Sequence, residues 1–128
     1  MTQTVAQRGG IIENLAERYK AAQEVRVAEK IHVKHYRPTA YDFDGVRVRS
    51  QNGGATIAYR HRNGDSFIEI ATAVCSVRDM YNRKAGTTLS VESFMNGQVI
   101  RVPTYGATPG DVVDRLFGNY FEFDSFID

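Results

Sequence analysis

Two asparagine-glycine dipeptides, Asn52-Gly53 and Asn63-Gly64, bracket a stretch in which apolar and polar side chains alternate. A type I′ turn needs φ > 0 at both central residues, and Asn and Gly tolerate that conformation best. The spacing predicts a three-stranded antiparallel meander. With both turns tight, Val48 faces Ile57 and Val46 faces Tyr59 across the first, while Tyr59 faces Ile68 and Ile57 faces Ile70 across the second. Those residues form one apolar face, because alternate side chains point to opposite sides of a sheet. The same register gives the reverse face Arg47, Arg49, Ala58, Arg60, Arg62, Phe67 and Glu69. Arginine suits planar contact with phosphate or carboxylate, so this face is a candidate binding surface. The same alternation also describes the solvated side of any one-sided antiparallel sheet, with long Arg stems covering their neighbours.

Around the meander the periodicity changes. Ile12, Leu15, Tyr19 and Ala22 recur at helical spacing, predicting a helix from about Gly10 to Gln23 whose apolar side packs on the core. Val25, Val27, Ile31 and Val33 then fall on odd positions, which fits either a strand or a continuation of the helix to Lys30. Ser76-Val77-Arg78-Asp79 reads as a capping box opening a helix that ends at Gly86, with a second helical stretch from Ser90 to Asn96. Gln98 to Val102 reads as a strand ended by Pro103. Thr108-Pro109-Gly110-Asp111 opens a last helix, with Thr as cap and Pro at its first position, closed by Gly118. The expected fold is a single α+β domain over 1–128: an N-terminal helix, an antiparallel sheet and two or three short helices.

Charge is unevenly distributed in a chain of 128 residues whose formal net charge is only +1. From Lys30 to Arg62 seven Lys or Arg stand against two acids, whereas from Asp111 to Asp128 five acids stand against Arg115 alone. The closing segment, 119–128, joins acids to aromatics, with Tyr120, Phe121, Phe123 and Phe126 among Glu122, Asp124 and Asp128. It reads either as a last strand packed on the core or as a tail that docks through its aromatics. No global charge excess points to nucleic acid or a membrane surface, and no apolar run approaches the roughly 20 residues needed to span a bilayer. One cysteine excludes an intrachain disulfide framework. With no secretory leader pattern in the opening residues, the expected location is cytoplasmic.

Candidate chemistry is sparse. Cys75 with a histidine and Asp79 could supply a thiolate and a base, but it follows Ala71-Thr72-Ala73-Val74 and behaves as a small core hydrophobe there. His32, His35 and His61 lack paired metal-ligand spacing, Asp42 and Asp44 lack the spaced oxygens of a calcium loop, and the Gly-Gly pairs belong to no phosphate-binding signature. The expectation is therefore a protein with no catalytic residues, no metal and no cofactor. Ser76 to Asn96 has a helix-turn-helix outline, although its second helix would offer a nearly neutral surface to DNA.

One segment carries a family resemblance. Val74-Cys75-Ser76-Val77-Arg78-Asp79-Met80-Tyr81-Asn82-Arg83-Lys84-Ala85-Gly86 resembles a short signature of small uncharacterised bacteriophage proteins: Cys-Ser, a basic residue, Asp, an aromatic, a basic pair and Gly. The match covers about twenty residues and fades after Gly86. It implies a phage or prophage origin, hence the cytoplasm of a bacterial host, and brings no site residues with it. The functional expectation is a small non-enzymatic effector that binds and modulates, or inhibits, a host macromolecule. Its binding residues would be Arg47, Arg49, Arg60, Arg62 and Phe67 on the sheet with Tyr120, Phe121 and Phe123 in the terminal segment. The alternative is a nucleic-acid-binding module that uses the basic sheet face with Phe67 as a stacking platform.

Overall fold

The computed structural model describes the backbone of residues 4–118 and 122–123 and the side chains of 14–48 and 50–118. A long N-terminal helix, α1 (Thr4–Ala28), leads into β1 (His32–Arg37), a short ribbon of β2 (Thr39–Tyr41) and β3 (Arg47–Arg49), and the paired strands β4 (Asn52–Arg60) and β5 (Phe67–Met80). Then follow α2 (Arg83–Met95), β6 (Ile100–Pro103), α3 (Pro109–Phe117) and β7 (Glu122–Phe123). The fold is α+β, as expected. The main sheet is antiparallel with the order β6-β5-β4-β1-β7, and β2 and β3 form a separate two-stranded sheet.

The meander is only half realised. β4 and β5 pair across 61–66, but Tyr59 faces Ile70 and Ile57 faces Thr72, two residues away from the tight-turn register. A shift of two keeps every side chain on its face, so Ile57, Tyr59, Ile68 and Ile70 are all buried together. The first hairpin is overturned. β3 pairs with β2 through a turn in which Asp42 Oδ1 accepts the amides of Asp44 and Val46, while β4 takes β1 as its second neighbour. Val46 and Val48 are accordingly 56% and 38% exposed. Asn52-Gly53 lies opposite a bulge of β5 at the start of β4, with Gly53 at φ +77° and the register passing from Asn52–Met80 to Gly54–Cys75. A left-handed glycine serves a bulge as readily as a hairpin turn, so the dipeptide alone could not separate them.

Both faces of the sheet are covered. On one, Tyr36, Ala55, Ile57, Tyr59, Ile68 and Ile70 pack with Val112 and Val113 of α3. α3 begins as its sequence dictates: Thr108 Oγ1 accepts the Asp111 amide at 3.3 Å, Pro109 occupies the first turn, and Gly118 caps the other end. On the opposite face, Ala58 and Ala71 pack with Ala22 and Ile31 and with Val91 and Phe94 of α2. α1 thus continues past Gln23 to Ala28, and the period-two reading of 25–33 applies only from β1 onward. α1 and α2 lie side by side, joined by the Arg18 guanidinium on Glu92, with Nε at 2.9 Å from Oε2.

The capping box at Ser76 is also overturned. Residues 76–80 continue β5, Tyr81 N–H donates to the Gln51 carbonyl, and α2 starts at Arg83 with Asn82 Oδ1 accepting the Ala85 amide at 3.0 Å. β4 holds this stretch at its two ends, with Cys75 opposite Gly54 and Met80 opposite Asn52, and the residues between them stand outside the ladder. Gly86 closes no helix; it lies inside α2, where an added Cβ would fall 2.1 Å from Thr56 Oγ1. The helix-turn-helix outline disappears with the first of its two helices.

Under α3 the sheet holds a small polar cluster. Tyr36 donates its hydroxyl to Asp114 Oδ1 at 2.6 Å, and Lys34 Nζ reaches the same oxygen at 3.0 Å and the Gly110 carbonyl at 3.2 Å. Burial, then the hydrogen bond and charge of Asp114, push the Tyr36 phenol far above its ordinary value near 10. The folded protein therefore keeps a proton that the unfolded chain releases above about pH 10, so stability falls as pH rises through that value. Unfolding in urea at pH 8 and pH 11 is expected to show this loss, and Tyr36→Phe to show a shallower one. An equal loss in the variant would remove Tyr36 as its source.

Candidate functional site

The four arginines that the tight register would place on one face are separated. Arg47 and Arg49 lie on β3, in the small ribbon, and Arg60 lies on β4 in the main sheet. The side of the sheet that carries Arg60, Phe67 and Glu69 is the side over which α1 and α2 pack. There Arg60, with its side chain 15% exposed, spans Glu29 at 3.0 Å and Glu69 at 3.3 Å and lies 5.0 Å over the Phe94 ring. Arg62 Nε approaches the same Glu69 carboxylate at 3.5 Å, and the guanidinium of Arg101 covers the Phe67 ring at 3.6 Å. These residues join strands to helices and to each other through local ion pairs and ring contacts. Tyr120 and Phe121 lie outside the described residues. Phe123 is placed by its backbone alone, opposite Tyr36 at the β1 edge of the sheet.

The histidines and Cys75 are dispersed. His32 is exposed beside Tyr59, with ring centroids 5.4 Å apart, and His61 Nε2 lies 2.7 Å from the Asp65 carbonyl oxygen. Cys75 is half-buried on β5 with Sγ 3.5 Å from the carbonyl oxygens of Ser76 and Asp79. Among the described residues no three His, Cys, Asp or Glu side chains gather into a metal site, and no helix is long and apolar enough to cross a membrane.

A different constellation forms where α1, β1 and the β5–α2 junction meet. Tyr19, Gln23 and Arg26 come from α1, Val33 and His35 from β1, and Tyr81, Asn82, Arg83, Lys84 and Thr87 from the junction and the first turns of α2. They line an open cavity of about 640 Å³. Among the described residues its wall holds three cationic side chains, Arg26, Arg83 and Lys84, and no carboxylate. Tyr19, Gln23 and Arg26 follow one another at gaps of four and three, so about two helical turns present all three to the cavity.

The floor is fixed by a buried polar network. The Tyr81 hydroxyl lies 2.7 Å from His35 Nδ1, within hydrogen-bond distance of Thr56 Oγ1, and 3.3 Å from the Ala55 carbonyl oxygen. His35 Nδ1 also lies 3.1 Å from Thr56 Oγ1, and the Arg37 guanidinium sits 4.4 Å over the Tyr81 ring. Gly86 leaves Thr56 the room to make these contacts. A tyrosine held by its hydroxyl and by a cation on its ring is a rigid wall, which lowers the entropy lost when a ligand packs against it. At the rim, Lys84 Nζ lies 5.6 Å from the Tyr19 ring centroid, and Gln23 Nε2 donates to the Tyr19 hydroxyl at 3.0 Å. Gln23 Oε1 is buried with no hydrogen-bond partner among the described residues. Among the described residues neither Arg26 nor Lys84 has a carboxylate partner.

Sequence reasoning passed over this site. Arg83 and Lys84 were visible as a basic pair, and Tyr81 and Gly86 as parts of the phage-like segment, but nothing local ties them to Tyr19, Gln23 and Arg26 on the first helix. That segment supplies the aromatic and the basic pair of the cavity wall and the glycine beneath it. Comparison with known proteins returns no match: no family model, no curated protein and no solved structure aligns with the chain.

Proposed function

We propose that this chain is a small non-enzymatic binding protein of phage type that captures an acidic group of a host macromolecule in the cavity between α1 and the start of α2, and modulates that partner. The observation that carries this reading is a wall of Arg26, Arg83 and Lys84 with two tyrosines and no carboxylate. Arg26 and Lys84, which have no carboxylate partner among the described residues, focus positive potential in this concave site and favour a negative ligand. In contrast, the arginines at the covered end of the sheet are matched to Glu29 and Glu69, which leaves them less to offer an outside anion. The Tyr81 hydroxyl beside His35 is tied to Thr56 and to the Ala55 carbonyl oxygen as well, so it serves as a fixed wall, and binding accounts for the cavity better than catalysis.

Retention on heparin, a generic acidic polymer, tests the reading. Arg26→Glu combined with Lys84→Glu is expected to weaken binding about tenfold or more, since each reversal turns an attraction into a repulsion. Arg47→Glu combined with Arg62→Glu is expected to leave binding near that of the unaltered chain. The opposite ranking would move the interface to the ribbon and sheet arginines and so favour the nucleic-acid-binding alternative.

A further inference from the structure

We infer that the ligand of this cavity is a nucleoside phosphate, either a free nucleotide or the terminal nucleotide of a single strand. This rests on the reading of the cavity as an anion site and narrows it. Three features ask for more than a phosphate or a carboxylate. The cavity, at about 640 Å³, falls in the size range of pockets that hold small organic ligands, and one inorganic anion would fill only a corner of it. It has aromatic side chains from two separate elements, Tyr19 on α1 and Tyr81 before α2, and a base stacks on such rings whatever its sequence identity. It is lined by Gln23, whose Oε1 is turned inward and has no donor among the described residues. A buried polar atom left unpaired costs stability, and a ligand that brings an N–H group recovers it.

These features map onto the parts of one molecule. Arg26 and Lys84, which have no carboxylate partner among the described residues, would take the phosphate. The Tyr19 ring would take the face of the base, on the side not held by Lys84. The Gln23 amide, whose Nε2 donates to the Tyr19 hydroxyl, would turn its Oε1 outward to accept from a base N–H. An acidic peptide satisfies the cations but has no flat π system to fill the space between the tyrosines.

Isothermal titration of the full chain tests this with adenosine 5′-monophosphate, uridine 5′-monophosphate, adenosine, inorganic phosphate and poly-glutamate as separate probes. The expected result is that a monophosphate binds at least about tenfold more tightly than either adenosine or inorganic phosphate. Lys84→Glu should weaken the monophosphates and phosphate alike. Gln23→Leu, which keeps the side-chain volume, should weaken the monophosphates alone, and circular dichroism confirms that each variant is folded. Equal binding of monophosphate and inorganic phosphate, or a Gln23→Leu variant that binds monophosphates normally, overturns the nucleoside assignment while the anion site stands. Binding of poly-glutamate without any binding of monophosphate has the same consequence. Failure of every probe overturns both readings. A 5′-phosphorylated oligonucleotide that binds like the monophosphate, while its 5′-hydroxyl counterpart does not, assigns the source to a strand end; binding of the free nucleotide alone assigns it to the nucleotide pool.

Discussion

Gly54→Ala is expected to destabilise the protein by about 3 kcal/mol or more, read as a lower urea midpoint with an unchanged slope. Gly54 sits at φ +142°, and a Cβ there would lie 2.6 Å from the Tyr36 carbonyl oxygen and 2.7 Å from the Tyr81 ring. Holding a non-glycine residue in such a region costs roughly 1–3 kcal/mol, and overpacking costs roughly as much again. Neither neighbour can yield cheaply. Tyr36 belongs to the β1–β4 ladder, and the Tyr81 hydroxyl is tied to His35 and Thr56. Gly64→Ala makes the comparison, because Gly64 has φ +86° and nothing within 4 Å of an added Cβ. It should lose only about 1 kcal/mol. If the two losses are equal, close approach at Gly54 contributes nothing and the bulge does not hold Tyr81 in place.

Ile57→Ala should cost about 2–5 kcal/mol, the range for truncating a buried aliphatic side chain and leaving a cavity. Ile57 is fully buried at the centre of β4, among Tyr36, Ile68, Ile70 and the two valines of α3. Phe43→Ala, at the tip of the β2–β3 ribbon where the ring is 109% exposed, should cost under about 0.5 kcal/mol despite removing a larger side chain. Chemical denaturation of both variants checks the pair. Comparable losses would mean that the apolar face under α3 is not the principal core.

The face assignment of the central strands was legible because a two-residue error in register leaves side-chain parity unchanged. Ile57, Tyr59, Ile68 and Ile70 share a face in both the tight-turn register and the adopted one. α3 was legible almost to the residue, since its cap, its proline and its closing glycine are local chemistry. The candidate site was legible only in fragments, as a basic pair on one helix and a tyrosine on another.

By itself, then, the chain's pattern determined the α+β class, the apolar side of β4 and β5, and the limits of α3, all of which depend on neighbours within a few residues. Tertiary structure decided the rest. Whether Asn52-Gly53 would turn or bulge depended on β1 competing for the edge of β4, a strand fifteen or more residues away in sequence. Whether the chain from Ser76 would turn helical or stay extended depended on β4, which pairs with Cys75 and with Met80 on either side of 76–79. Whether the arginines of the sheet would face water depended on α1 and α2 packing over Ala58 and Ala71, small residues that let helices approach the sheet closely. The cavity exists only because that packing leaves Tyr19, Gln23 and Arg26 facing Tyr81, Arg83 and Lys84 across a gap, and no local pattern encodes a distance between two elements separated in the chain by β1 to β5.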